Sequence, residues 1–340
     1  MRSTAIATAT KKTRNMSNFK TILCGLYALA AIVFAAGVSA QPLTYTHNGT
    51  TLKLHEVEVN IGIEKPFSLL HISDSHLAYA DERDDACKNR LSVKRRKNFG
   101  DSEGKLRAHI QYALDHNLMI VHSGDMLDFV SEANLDCAKD IFSKGDWIVC
   151  AGNHEYSLYM GEAKEDDAYR AKSYDKVQAV FPNDLTFYSR VVNGVNFVTL
   201  DVGYYKVSKE QFAKMKKEVK KGLPIIMVIH NPLYTPDLCD YALKRWKGKS
   251  AYLVGIPEEI TSKFPLKTTK PGEEWRNRSV QQHADKTTLK FCKWLKKQEE
   301  LKAILCGHLH FNFKTQFSPT ATQYVVDKGT KGVGCLVHIK

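Results

Sequence analysis

Short apolar runs recur along the chain, each ending in a polar, charged or glycine-led cluster. Five runs have this form: Ser68 to Ile72, Leu118 to Val121, Trp147 to Cys150, Pro224 to Ile229 and Ala303 to Cys306. Runs of this length are typical of strands buried on both faces of a sheet. Helix-like stretches lie between them: Leu106 to His116, Ala133 to Ser143, Ala168 to Val180, Lys209 to Lys221 and Asp285 to Glu300. Strands that alternate with helices predict a layered α/β fold.

Other alternating stretches indicate that the sheets are mixed. Leu185 to Leu200 predicts a hairpin that turns at Asn193-Gly194, a strong two-residue turn signal. Gln323 to Ile339 alternates apolar and polar residues, and Thr51 to Ile63 does so in the manner of an edge strand.

Two stretches fit none of these patterns, and we interpret them as insertions, at about residues 78–105 and 232–280, that rim a site. The first carries a basic cluster, which we interpret as a solvated helix face: Lys88, Arg90, Lys94, Arg95, Arg96 and Lys97. The second is rich in aromatic residues: Tyr234, Tyr241, Trp246, Tyr252 and Trp275. These rings suit stacking on a base or contact with a head group, but we favour a small core internal to the insertion.

The first 40 residues have the layout of a secretory signal peptide. A basic front is followed by an apolar run from Thr21 to Val38, and Val38-Ser39-Ala40 offers a small-x-small cleavage site before Gln41. We therefore predict export, to the periplasm or the extracellular space, and one folded domain over residues 41–340. An uncleaved membrane anchor is the alternative, because about 18 apolar residues just span a bilayer.

Charge and cysteine content narrow the class of protein further. The chain has 49 basic and 37 acidic residues, and five of the basic ones precede Gln41, which leaves a net charge of +7. A modestly basic surface suits anionic substrates but does not single out nucleic acid, so we expect no specific nucleic-acid partner. Seven cysteines remain after Gln41, and none of their spacings resembles a zinc–thiolate site. Export to an oxidising compartment would permit disulfide bonds among Cys87, Cys137, Cys239 and Cys292.

Candidate chemistry lies where the predicted strands end. The clusters are His71-Ile-Ser-Asp74-Ser-His76, Ser123-Gly-Asp125-Met-Leu-Asp128, Gly152-Asn153-His154-Glu155, His230-Asn231 and Gly307-His308-Leu-His310. In layered α/β folds the carboxyl ends of strands are where ligands bind. Five strand ends therefore deliver Asp, Asn and His side chains toward one edge.

These side chains predict a site for two transition-metal ions. Mixed nitrogen and oxygen ligands suit Mn, Fe, Zn or Co better than Ca or Mg, and a single ion needs fewer groups than are present. Asp74 and His76 reach one metal together if the chain there is extended, because alternate residues then point the same way. His308 and His310 have the same spacing, but a loop can send them to different metals.

The order of these clusters resembles that of the calcineurin-like metallophosphoesterase superfamily, from about Leu69 to His310. The motifs that carry the resemblance are, in order, Asp-x-His, Gly-Asp-x-x-Asp, Gly-Asn-His-Glu, a lone His and Gly-His-x-His. The resemblance implies a four-layer α/β/β/α sandwich of two mixed sheets flanked by helices. It implies one metal held by Asp74, His76 and His310, a second held by Asn153, His230 and His308, and Asp125 bridging both. His154 resembles the histidine beside the scissile phosphate. Asp128 and Glu155 resemble supporting residues, and we expect them to orient a ligand histidine.

The function implied is hydrolysis of a phosphomonoester or phosphodiester by a hydroxide that bridges the two metals. The alternative is a metal-binding protein of the same fold without activity, although none of the implied ligands is missing. The substrate expected is a small phosphoester, such as a nucleotide, a sugar phosphate or a lipid head group. We expect no obligate protein partner.

Overall fold

The computed structural model describes residues 41–159, 166–248, 250–265 and 282–340. The elements described below all lie in one compact unit, Pro42–Lys340. The predicted signal peptide and Trp275 lie outside the described residues. None of the described helices is long and apolar enough to cross a membrane.

The first sheet of the described chain has six strands in the order β1-β2-β12-β3-β4-β5. Their bounds are β1 Leu43–His47, β2 Thr50–Val59, β3 Phe67–Ile72, β4 Met119–His122, β5 Trp147–Val149 and β12 Val333–Ile339. The alternating stretch from Thr51 was predicted to be an edge strand, and this was wrong: β2 lies inside the sheet, and β1 is the edge. Alternation shows that one face of β2 meets solvent, and it does not report which strands flank it.

The second sheet also has six strands among the described residues, in the order β10-β11-β9-β8-β7-β6. Their bounds are β6 Phe187–Val192, β7 Val195–Leu200, β8 Ile225–Val228, β9 Leu301–Cys306, β10 Phe313–Gln316 and β11 Thr322–Val325. The predicted hairpin is confirmed, and Asn193 and Gly194 both have the left-handed backbone that a tight turn requires. Parallel and antiparallel pairs occur in both sheets, as predicted.

A short 3-10 helix, Gly329–Lys331, and nine α-helices lie in the described residues: α1 Ala86–Phe99, α2 Ser102–Asp115, α3 Glu132–Phe142, α4 Asp167–Ala171, α5 Tyr174–Gln178, α6 Lys209–Val219, α7 Pro236–Arg245, α8 Glu258–Thr261 and α9 Lys286–Leu295. The predicted helix from Ala168 to Val180 is divided into α4 and α5. At the break the Ser173 hydroxyl donates to the Tyr156 carbonyl oxygen (2.8 Å), and this tertiary contact takes the place of a continuous helix.

The sheets and helices form four layers, and a hydrophobic cluster lies between each pair of neighbouring layers. One lies between the sheets and joins residues such as Leu69 and Val121 to Phe197 and Leu305. The second packs the first sheet on α2 and α3, and the third packs the second sheet on α6, α7 and α9. The predicted four-layer α/β/β/α sandwich is therefore confirmed. The seven cysteines from Cys87 onward are all unpaired.

The two predicted insertions are built differently from one another. Residues 78–105 form α1 and the start of α2. In the described part of 232–280, the rings of Tyr234, Trp246 and Tyr252 pack against the same cluster as Met227 of β8. The expectation of a small separate core there was wrong, because these side chains complete the core of the second sheet.

Candidate metal centre

The seven predicted ligands come from five strand ends that meet at one edge of the sandwich. Asp74 and His76 follow β3, Asp125 follows β4, Asn153 follows β5, His230 follows β8, and His308 and His310 follow β9. The His308 amide donates to Asp74 Oδ2 (2.9 Å), which ties the end of the second sheet to the end of the first. The site therefore lies across the two sheets and depends on their packing.

One group consists of Asp74, His76 and His310. Asp74 Oδ1 lies 3.1 Å from His310 Nε2 and 3.7 Å from His76 Nε2, and the two imidazole nitrogens are 3.5 Å apart. Three ligand atoms at such mutual distances are compatible with one shared metal ion bound at about 2.0–2.2 Å.

A second group consists of Asp125, His230 and His308. Asp125 Oδ2 lies 3.1 Å from His230 Nε2, which in turn lies 3.2 Å from His308 Nδ1. His308 and His310 thus contribute to different groups, one of the two arrangements that their spacing in the sequence allows. Asp125 Oδ2 is also 3.9 Å from His76 Nε2, so it lies between the two groups.

Five of these ligands have a left-handed backbone: Asp74, His76, Asp125, His308 and His310, with φ between 45° and 68°. The premise that the chain from Asp74 to His76 is extended was therefore wrong, although the two side chains do meet. Left-handed non-glycine residues cost on the order of 1–3 kcal/mol each and persist where surrounding structure holds them, typically at functional sites.

Glycines beside the ligands let the strand ends approach closely. A Cβ at Gly152 would lie 2.2 Å from Asp125 Oδ1, and one at Gly307 would lie 2.5 Å from Asp74 Oδ2. The Gly-Asn and Gly-His steps of the sequence are thus spatial requirements of the site, because any side chain at these glycines would displace a carboxylate.

One nitrogen of each of three histidines is fixed by a hydrogen bond, which directs the other into the site. His76 Nδ1 donates to Asp128 Oδ1 (3.0 Å), and His230 Nδ1 donates to the Ser123 carbonyl oxygen (2.8 Å). His308 Nε2 is 2.9 Å from the Tyr205 hydroxyl, which leaves Nδ1 for the second group. Such bonds set the tautomer and ring orientation of metal-ligating histidines.

Asn153 fits the same centre. Its side-chain oxygen is buried and has no hydrogen-bond partner among the described residues. A buried amide oxygen is ordinarily paired, so an orphaned one directly after Gly152 in this strand-end cluster suits a cation. The residues present therefore suit metal ions in both donor chemistry and geometry.

Opposite charges shift the pKa values of the site. Burial alone lowers the pKa of an imidazole, but hydrogen bonds to Asp128 and Asp74 raise the pKa of His76 to about 10. Burial likewise opposes the charge of His230, yet Asp125 raises its pKa to about 9. Burial raises a carboxyl pKa, but the neighbouring histidines hold the pKa of Asp74 and Asp125 below their usual range. Burial and His230 lower the pKa of His308, which keeps this imidazole neutral.

The two expected supporting residues act in different ways. Asp128 contacts His76, the arrangement expected of a carboxylate that orients a ligand histidine. Glu155 has no contact of this kind among its hydrogen bonds in the described chain. Its carboxylate instead accepts from four backbone amides, those of Asp125, Met126, Leu127 and Gly152. It therefore braces the backbone that carries Asp125.

His154 lies beside both groups. Its Nδ1 donates to the Asp128 carbonyl oxygen (2.9 Å), and its Nε2 lies 4.0 Å from Asp125 Oδ2. His76, Asp128 and His154 also lie close enough together to share an ion. However, both oxygens of Asp128 already accept hydrogen bonds from Arg95, so this trio is better described as an ion-paired network.

Sequence reasoning missed two residues that contact the site. The sequence pattern places Arg95 in a solvated basic face, and it does not indicate Tyr205. Both act through contacts with residues far away in the chain, Arg95 with Asp128 and Tyr205 with His308. The positive φ of Tyr205 (61°) is visible only in the structure.

A sandwich of two mixed sheets with paired nitrogen–oxygen ligand groups at the strand ends defines a metal-dependent hydrolase. The chain belongs to the calcineurin-like phosphoesterase family, whose model matches residues 67–312. This confirms the resemblance inferred from the five clusters, and the protein is a metal-dependent phosphoester hydrolase.

Solved structures with a similar fold include a dimetal phosphatase from Danio rerio, at 14% identity and a TM-score of 0.44 over 78% of this chain and 89% of that one. A phosphopantetheinyl hydrolase from Mycobacterium tuberculosis matches at 14% identity, TM-score 0.38, over 77% and 90%. A putative 5'-nucleotidase from Staphylococcus aureus matches at 12% identity and TM-score 0.40 over 78% of this chain, which spans 49% of that one. No curated protein sequence matches this chain.

Proposed function

We propose that this hydrolase is an exported binuclear phosphoesterase. Asp74, His76 and His310 would hold one divalent ion, Asn153, His230 and His308 would hold a second, and Asp125 would serve both. The mixed oxygen and nitrogen donors favour Mn, Fe, Zn or Co over Ca or Mg.

The position of Asp125 carries this proposal. One oxygen of its carboxylate faces His230 of the second group at 3.1 Å and His76 of the first group at 3.9 Å. Its other oxygen accepts from the His154 amide (2.9 Å), which fixes the carboxylate in that orientation. A carboxylate held between two ligand groups is what a shared ligand of two neighbouring ions requires.

When bound, two such ions would supply activation of a water molecule as nucleophile and neutralisation of charge on the phosphoryl oxygens. The chain supplies the remaining chemistry through His154. Because its Nδ1 proton is donated to a backbone carbonyl, its Nε2 is the nitrogen available to the substrate. We assign this nitrogen to proton donation to the leaving oxygen or to stabilisation of the phosphoryl oxygens.

The substrate proposed is a small phosphomonoester or phosphodiester. The Tyr252 ring lies 6.1 Å from the His308 ring, so an aromatic side chain of the second predicted insertion borders the site. Its ring offers a face for a planar or apolar leaving group. The test measures hydrolysis of nucleotides, sugar phosphates and lipid head groups by the wild type and by Tyr252→Ala. The comparison separates these substrate classes.

Export rests on the sequence of residues 1–40 alone. The basic front, the apolar run and the small residues before Gln41 support cleavage after Ala40. N-terminal sequencing of the mature protein should begin at Gln41. An intact Met1 end in the membrane fraction would contradict cleavage and favour the anchor.

The hydrolysis itself is tested with nitrophenyl phosphate and bis-nitrophenyl phosphate. We expect chelation to abolish activity, and Mn, Co, Fe or Zn to restore it better than Ca. A protein that is fully active with no bound metal would refute the proposal.

A further inference from the structure

Helix α1 brings a guanidinium group to the edge of the metal centre. Arg95 Nε donates to Asp128 Oδ2 (2.5 Å), and Arg95 Nη2 donates to Asp128 Oδ1 (2.7 Å). The Asp128 side chain is fully buried, whereas that of Arg95 is 20% exposed. A two-pronged contact of this kind is the strong and directional form of an Arg–carboxylate pair.

The same carboxylate contacts two imidazoles of the site. Asp128 Oδ1 lies 3.0 Å from His76 Nδ1 and 3.3 Å from His154 Nδ1. Asp128 is therefore a junction between Arg95 and one residue from each of two strand-end clusters. A displaced Asp128 side chain would leave the His76 Nδ1 proton without its acceptor, whereas His154 Nδ1 would keep its bond to the Asp128 carbonyl oxygen.

A second contact from α1 reaches His76 through Phe99, one turn after Arg95. The Phe99 and His76 rings are stacked at 4.5 Å with 7° between their planes, and the Arg95 guanidinium lies 4.7 Å from the centre of the Phe99 ring. The i, i+4 spacing places Arg95 and Phe99 on one face of the helix. This side of α1 thus holds His76 in two ways: Phe99 stacks on the His76 ring, and Arg95 acts on His76 Nδ1 through Asp128.

Charge balance explains why an arginine is needed. A fully buried carboxylate without a cation is costly. Arg95 supplies the permanent positive charge, and its planar fork engages both carboxylate oxygens as a lysine ammonium does not.

We propose that Arg95 is a positioning residue for the metal centre: it holds both carboxylate oxygens of Asp128 in place, and Asp128 in turn sets the His76 tautomer that directs Nε2 into the first ligand group. This rests on the proposed binuclear function in one respect, the use of His76 as a ligand. Arg95 lies outside all five strand-end clusters and belongs to the first predicted insertion, so α1 is a structural part of the site and not only its rim.

The experiment compares Arg95→Met and Arg95→Lys with Arg96→Met as a matched control. Arg96 is the next residue on α1, is exposed, and lies over the Tyr79 ring (4.9 Å) instead of Asp128. Metal-depleted protein is titrated with Co²⁺ and followed by absorption spectroscopy, with His76→Ala as the benchmark for the ion that His76 holds.

Arg95→Met should weaken Co²⁺ affinity by roughly 10–100-fold at the site whose ion His76→Ala loses. This is the usual effect of removing a residue that hydrogen-bonds to a ligand's supporting partner. The other ion should keep its affinity, Arg95→Lys should resemble Arg95→Met, and Arg96→Met should match the wild type. Guanidinium ion at non-denaturing concentration should restore Co²⁺ affinity in Arg95→Met only.

Equal Co²⁺ affinities in Arg95→Met and Arg96→Met would overturn the proposal. So would equal weakening of both ions without rescue, since that indicates a general structural role. If Arg95→Met does not fold, Arg95→Lys carries the same comparison. Failure of the proposed function looks different, because the wild type itself would then bind no pair of ions.

Discussion

Replacing Glu155 with Ala tests how the backbone beneath Asp125 is held. Glu155 is fully buried, and its carboxylate accepts hydrogen bonds from four backbone amides. Three of these amides belong to the turn from Asp125 to Leu127, where Asp125 has a left-handed backbone (φ 55°). The variant leaves all four amides without an acceptor and Asp125 without its brace.

The cost follows from the number of orphaned donors. A buried donor that loses its partner costs about 1–3 kcal/mol. Removing a buried carboxyl group returns part of its desolvation cost, so we take the lower end of this range. Four amides then give a loss of about 4 kcal/mol in the free energy of unfolding.

The assay is urea unfolding of metal-depleted protein in the presence of chelator, so that metal binding does not contribute. Glu132→Ala is the control, because Glu132 forms a partly exposed ion pair with Lys176 (2.7 Å) and should change stability by less than about 1 kcal/mol. A Glu155→Ala protein as stable as this control would refute the role of Glu155 as a backbone brace.

Three further outcomes are expected. His154→Ala should keep both metals but lower turnover by roughly 10²–10⁴-fold, more on alkyl than on nitrophenyl phosphates; loss of bound metal would show that His154 is a ligand. Because the pKa values of His76 and His230 are raised to about 10 and 9 without metal, both are protonated at pH 7, and metal affinity should rise with pH toward those values. Loading at pH 7 should release about two protons per chain, measured by calorimetry in buffers of different ionisation enthalpy, and no release would contradict the ligand assignment. Tyr205→Phe removes the hydroxyl 2.9 Å from His308 Nε2 and should weaken one ion by roughly 10–100-fold; unchanged affinity would exclude this role.

Local patterns were sufficient to predict the strands that carry the site. β3, β4, β8 and β9 lie inside sheets covered on both faces, so their sequences are continuous apolar runs. The ligands follow those runs directly, which made both the strand ends and the chemistry visible in the sequence.

Features that depend on contacts between distant residues were not predictable. Arg95 lies in a helix whose local sequence resembles a solvated basic face, and its partner Asp128 is 33 positions away. Glu155 lies two positions after the predicted ligand Asn153, yet its carboxylate accepts from backbone amides and contacts no histidine through a hydrogen bond, which no side-chain pattern reveals. The left-handed backbone at Asp74 and His76 arises from the meeting of two sheets, so an extended chain was the wrong expectation.

The shared use of Asp125 is the centre of the proposed function, and metal occupancy tests it most directly. Elemental analysis of the wild type, Asp125→Ala and His230→Ala, each loaded and desalted in parallel, gives the number of ions per chain. We predict up to two ions in the wild type, loss from both sites in Asp125→Ala, and loss mainly from one site in His230→Ala. Equal, single-site losses in the two variants would contradict the account.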